Sequence, residues 1–188
     1  MAEDPVGLYQ GGGTLAQAVL ASAPEGMLIA PVWKRVAAYM LDVVVLTLVL
    51  HFLTGQMLMV YMSDFSLLGE GPRYIAAFAL NWFLFLGAHY LYFKYTGRSI
   101  GRSLAQRGLR IAIVHDNGTV LEQHHWGPRA VAKMIYIIPF IGWLYFGLRD
   151  TFSAGSSDAE YRTAVDLRHH TVAAVDWSLP SETRLRLR

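Results

Sequence analysis

Three long apolar stretches constrain this chain more than anything else in it. Crossing the hydrocarbon of a bilayer takes about 20 consecutive apolar residues in a helix. The first stretch runs from about Val36 to Met62 and is unbroken from Val43 to Leu50 except for Thr47, whose hydroxyl can bond a carbonyl one turn back. Trp33 and Tyr61 stand where interfacial aromatics belong. The second runs from about Tyr74 to Tyr95, behind Pro72, and ends in Tyr90, Tyr92, Phe93 and Tyr95. Proline is tolerated in the first turn of a helix. The third runs from Ala130 to Leu148, with Lys133 near its start and Pro139 and Gly142 in its middle. It fits either a straight crossing or two half-helices that dip in and return. The predicted class is therefore a membrane α-helical protein: two transmembrane helices plus a third re-entrant or spanning apolar segment.

Composition agrees. Only 16% of the residues are charged, against about 25% in ordinary soluble domains. The chain has no cysteine, which excludes disulfides, thiolate metal sites and a cysteine nucleophile. Residues 1–30 read as an N-terminal arm. Glu3 and Asp4 stand where a secretory signal would be basic. A short helix is predicted over Thr14 to Ser22, ended by Pro24-Glu25-Gly26.

Between the second and third stretches, Leu109 to Val114 and Thr119 to Leu121 flank Asp116-Asn117-Gly118. Asn-Gly between β-branched runs predicts a hairpin, because both central residues tolerate positive φ. Thr171 to Val175 reads as another strand. A lone hairpin is marginal in water, so a small three-stranded cytoplasmic β-sheet is expected. No internal repeat is legible. The connection between the first two stretches nets −1, and the one after the second nets +4. The positive-inside rule then places the N-terminus and the sheet in the cytoplasm.

Three patches resemble the RDD family, named for one arginine and two aspartates. The first is Trp33-Lys34-Arg35 to Asp42, with the arginine and an aspartate seven residues on. The second is Thr96-Gly97-Arg98-Ser99-Ile100-Gly101-Arg102 followed by Gly108-Leu109-Arg110-Ile111, where Arg102 replaces the usual lysine. The third is Val165-Asp166 to Thr171-Val172, with the second aspartate. The resemblance implies an RDD-like membrane domain over residues 31–176, followed by a basic tail over 177–188. It also implies a bacterial inner-membrane, multi-pass protein. Some members of the family are linked to sodium–proton exchange.

Arg35, Asp42 and Asp166 are the candidate ion-pair or cation-site residues. Asp42 inside an apolar helix needs a partner; Arg35 shares its face but lies about 10 Å away along the axis, so Arg110, Arg129 or Lys133 are the alternative basic partners, and a structural ion pair outweighs a transport site. Asp166 is expected to cap a turn or pair with the arginines after Gly97. Thr96, Gly97, Arg98, Gly101 and Arg102 form a candidate lipid-headgroup cradle whose spacing is not that of a nucleotide-binding loop. His51, Asn81 and His89 suit interhelical hydrogen bonds. His124-His125 and His169-His170 both flank the expected sheet and could meet in space, but adjacent histidines on a strand usually point apart, so no metal site is expected there. The alternation in Arg184-Leu185-Arg186-Leu187-Arg188 suits anionic headgroups or an added strand.

No catalytic constellation, cofactor motif or nucleic-acid-binding pattern stands out, so no enzyme is expected. The expected partners are membrane lipids and either other membrane subunits or further copies of the chain. The first functional reading is a structural or accessory subunit of a membrane complex. The alternative is a sodium or other cation/proton antiporter acting as an oligomer. A lipid-modifying enzyme has the least support.

Overall fold

A computed structural model of the chain describes Pro24 and residues 26–187. The helix expected over Thr14 to Ser22 lies outside the described residues.

Helix α1 spans Val32–Leu53 and starts at Pro31, whose carbonyl takes the amides of Lys34 and Arg35. It ends sooner than its apolar run, because Gly55 and Gln56 both take positive φ. A separate short helix, α2 (Met57–Ser63), follows. Its Leu58 and Met62 pack with Phe85 of α3 (Pro72–Ile100). The turn after α2 is capped by Asp64, which accepts from Ser66 N–H. At 1.5 Å per residue, the 22 residues of α1 and the 29 of α3 run about 33 and 43 Å, and both helices are apolar enough to cross a membrane. Phe52, Leu53 and Phe83 are 73–78% exposed, so these helices turn apolar surface outward as a lipid-facing helix does.

Helix α3 outruns the expected Tyr95 by more than a turn and carries Thr96, Gly97 and Arg98 as helix. Gly101 ends it in the left-handed region at φ 69°. The third apolar stretch is a broken hairpin, not one straight crossing. Helix α5 (Trp126–Ile135) packs along α3, the chain turns at Pro139, a wide-turn helical segment follows at Ile141–Gly147, and α6 (Leu148–Gly155) returns against α1. Gly142 is required at the turn, where a Cβ would collide with the carbonyl of Ile135.

The expected three-stranded sheet is corrected. Strand β1 (Ile111–His115) pairs antiparallel with β2 (Thr171–Val175), with Ile113 opposite Ala173. The second arm of the Asn-Gly hairpin shrinks to a single bridge, Val114 to Val120, and another bridge joins Ile29 to Ala174 on the far edge. Thr119 accepts from the His115 amide at 2.9 Å through its carbonyl, but its amide and hydroxyl bond Asn117, which spends those groups within the turn. The sheet is buried on both faces. Ile111, Ile113, Ala173 and Val175 join Ala30, Ala38 and Trp126 on one side; Ala112, Val114 and Ala174 join Met27, Leu179 and Leu187 on the other. The tail is therefore no added strand: it forms α8 (Ser181–Arg186), and Leu187 packs under the sheet.

A repeat does exist. Each strand follows a five-residue helix: α4 (Leu104–Gly108) before β1 and α7 (Ala164–Arg168) before β2. Both begin with a capping box, Ser103 with Gln106 and Thr163 with Asp166. Both reach their strand through a residue of positive φ, Arg110 and His170. Every one of these positions recurs sixty residues on. The two units exchange ion pairs: Arg102 ahead of α4 meets Asp176 beyond β2, and Arg162 ahead of α7 meets Asp116 beyond β1, each at 2.8 Å. The pairing register makes this a local twofold about Ile113 and Ala173.

Candidate functional site

The cluster is assembled on the face of the sheet toward α1. Asp166 is the third residue of α7, so its carboxylate can reach back to Thr163, as a capping box requires. The same carboxylate accepts from Arg35 of α1 at 3.3 Å and from Arg129 of α5 at 2.8 Å. Arg129 also donates to the Thr171 hydroxyl at the head of β2, and Arg35 donates to the Tyr161 carbonyl at 2.8 Å. One carboxylate thus joins α1 and α5 to the sheet. Burial alone would raise the Asp166 pKa, but Arg129 and then Arg35 more than reverse that and hold it below the ordinary carboxylate range.

Asp166 is both the expected turn cap and the expected ion pair, with different arginines. Arg98 donates instead to Gln123, and Arg102 belongs to the exchanged pair with Asp176.

Asp42 is buried, at 3% exposed, as expected. Its expected basic partner is corrected. Tyr92 of α3 donates to Oδ1 at 2.5 Å and the amide of Ala105 at 3.0 Å. The anion is held by two neutral donors, one of them an amide in the first turn of α4, where helix N–H groups lack internal acceptors. Its Oδ2 is buried and has no hydrogen-bond partner among the described residues. Asp42→Ala should cost about 1–3 kcal/mol, because it strands two half-buried donors; Asp158→Ala, at an exposed carboxylate, should stay within about 0.5 kcal/mol. Thermal unfolding in mild detergent measures both, and equal melting temperatures would show that the Asp42 network carries no stability.

The proposed headgroup cradle is not brought together. A Cβ at Gly97 would overlap the indole of Trp126, and one at Gly101 would lie 2.5 Å from Leu187. Both glycines serve close packing. Thr96 donates back to the Tyr92 carbonyl. Of the polar residues in the long helices, His89 bonds the Phe85 carbonyl and Asn81 the Ala77 carbonyl, both within α3.

Beside the cluster lies a cavity of about 270 Å³ between α1, α5 and α6. Arg35, Arg129, Lys133, Asp150 and Asp166 give it charge on otherwise apolar walls. The Lys133 ammonium lies 4.2 Å from the centre of the Phe93 ring, a cation–π contact. Tyr136 donates to Asp150, and Tyr39 donates to the Lys133 carbonyl at 3.0 Å. Asp150, Tyr136 and the two exchanged ion pairs escaped the sequence reading. The sixty-residue recurrence of an arginine before a hydroxyl residue, with an aspartate after the strand, was the signal for those pairs.

No curated protein and no solved structure matches the chain. The model of the RDD family matches residues 29–166, from the bridge residue Ile29 to the carboxylate at the centre of the cluster. With most of its length inside that match, and with Arg35, Asp42 and Asp166 all within it, the chain belongs to the RDD family.

Proposed function

We propose that this protein is a structural or accessory component of the bacterial inner membrane that works by assembly. The observation that carries the reading is the engagement of the cluster's charges. Asp166 is held by two arginines, and both arginines have further acceptors. A carboxylate so fully bonded acts as a fixed joint between helices and sheet. The outward aromatic and aliphatic faces of α1 and α3 then serve lipid and neighbouring subunits, as copies of this chain or as other membrane proteins. In the proposed orientation the N-terminus and the sheet are cytoplasmic. Because β1 and β2 pair, the hairpin between them leaves and returns on one side, and α1 and α3 are the two crossings.

A cation/proton antiporter is the second reading, favoured by the Oδ2 of Asp42, which is buried and has no hydrogen-bond partner among the described residues. A buried ionisable group with spare acceptor capacity is what a proton or cation site needs. Two crossings are few for a path, so several copies would have to build it. Reconstitution separates the readings. Purified protein is sealed into liposomes with a pH-sensitive dye inside, and sodium, lithium or potassium is added outside. The assembly reading expects proton movement no faster than in empty liposomes, together with a defined oligomer or stoichiometric complex in detergent. Cation-dependent proton movement that vanishes in Asp42→Asn would overturn it. Asparagine keeps an acceptor for Tyr92 and Ala105, so that variant removes the charge without emptying the network.

A further inference from the structure

We infer that Glu122, His124, His125 and His115 form a surface site for a divalent transition-metal ion of the zinc, nickel or copper type. Nothing in this inference depends on the assembly or transport reading.

The two histidines expected to point apart do not, because residues 123–125 form a tight turn and no strand. The His124 and His125 rings are 4.0 Å apart. One ligand atom from each of Glu122, His124 and His125 lies within 4.8 Å of the other two. The His124 Nδ1 to Glu122 Oε2 distance is already 3.1 Å. Ligands about 2.0–2.2 Å from a tetrahedral zinc lie about 3.3 Å from each other, so this edge of the polyhedron is formed. His124 and Glu122 are exposed, and small side-chain rotations bring in the third donor.

A candidate fourth donor, His115, lies beside this group of three but outside it. His115 ends β1, and its ring centre is 5.1 Å from that of His125. Its Nδ1 faces the His170 carbonyl at 3.4 Å. A metal-binding imidazole usually gives its other ring nitrogen to a carbonyl or carboxylate, and this contact leaves Nε2 as the ligand. The ring of His169, just beyond α7, is centred 6.2 Å from that of His125.

The twofold supports a role beyond folding. The positions equivalent to His115 and His169 in the other unit are Val175 and Leu109. The same helix–strand unit therefore forms without histidine at either place. Imidazole with one carboxylate suits zinc, nickel and copper. A bound ion would tie the turn before α5 to the end of β1.

The test uses the full chain in mild detergent, purified without a histidine tag, and titrates it with Zn²⁺ alone. One site per chain is expected, with a Kd in the micromolar range or tighter. His124→Ala and His125→Gln should each weaken binding by at least about tenfold, and His115→Gln should do the same. His51→Gln, far along α1, should leave it unchanged. The exposed position of His124 keeps its variant folded, which melting without metal verifies. Co²⁺ should give visible absorption in the parent protein and lose it in His124→Ala. Absence of saturable Zn²⁺ binding, or binding unaffected by both His124→Ala and His125→Gln, would overturn the site. Binding lost in those two but intact in His115→Gln would overturn the assignment of β1 as a ligand-bearing element.

Discussion

Asp166→Ala is expected to destabilise the protein by about 3–5 kcal/mol, the usual cost of removing one partner from a buried charge cluster. The side chains of Arg35, Arg129 and Asp166 are only 5–11% exposed, so water cannot replace the missing carboxylate. Two guanidinium groups would then face each other across an emptied space, and the Thr163 cap of α7 would lose its return bond. Asp166→Asn should fall between, since it keeps an acceptor for the cap and loses the charge. The same pair sets a pH dependence. The folded-state pKa of Asp166 is depressed. Its contribution is therefore fully present above the unfolded value of about 3.9, and it is lost as pH falls through the lower folded value. Melting temperature against pH in detergent should drop on the acid side in the parent and flatten there in Asp166→Asn. A variant Asp166→Ala that melts with the parent would show that the cluster does not hold helices and sheet together.

Gly97→Ala is the second large effect, and its sign opposes helix propensity. Alanine favours a helix over glycine by about 1 kcal/mol, so a glycine in mid-helix invites stabilisation. Gly87, in the same helix, has nothing among the described residues within 4 Å of where a Cβ would stand; Gly87→Ala should be neutral or gain up to about 1 kcal/mol. At Gly97 the Cβ would meet three atoms of the Trp126 indole, the farthest of them at 2.8 Å. Trp126 is buried within the sheet's own core and cannot swing away. Overpacking of this kind typically costs about 1–3 kcal/mol, enough to reverse the propensity gain. The double variant Gly97→Ala with Trp126→Leu should recover part of the loss, because it removes the rings that the new methyl meets. A double-mutant cycle on thermal stability measures the coupling. Additive costs would mean that α3 and α5 do not meet through this contact.

The two effects divide along the line between what was legible in the residues and what was not. The capping boxes were written locally: Ser103 with Gln106 and Thr163 with Asp166. The breaks at Gly101 and Pro139 were also local. The break at Gly55 and Gln56 was local too, but apolar residues on both sides disguised it. The sixty-residue repeat was present all along and stayed hidden. Its two units share only the leading arginine and the closing aspartate as identical residues, and a twofold constrains backbone and ion pairing more than side-chain type.

The sequence by itself determined that the chain carries two helices long and apolar enough to cross a bilayer, a third apolar segment with breakers in its middle, strands at β1 and β2, a buried acid at Asp42 and a turn cap at Asp166. Those follow from run length, local hydrogen bonding and the cost of an unpaired charge, all of which act over a turn or two of chain. Only the tertiary structure decided who meets whom. Arg35 and Asp166 are 131 residues apart and Arg129 and Asp166 are 37 apart. Asp42 turned to Tyr92 and the Ala105 amide rather than to a basic residue. Charge attraction has no sequence address: several cations could satisfy either acid, and the sheet register and the packing of Trp126 on Gly97 select which of them arrive.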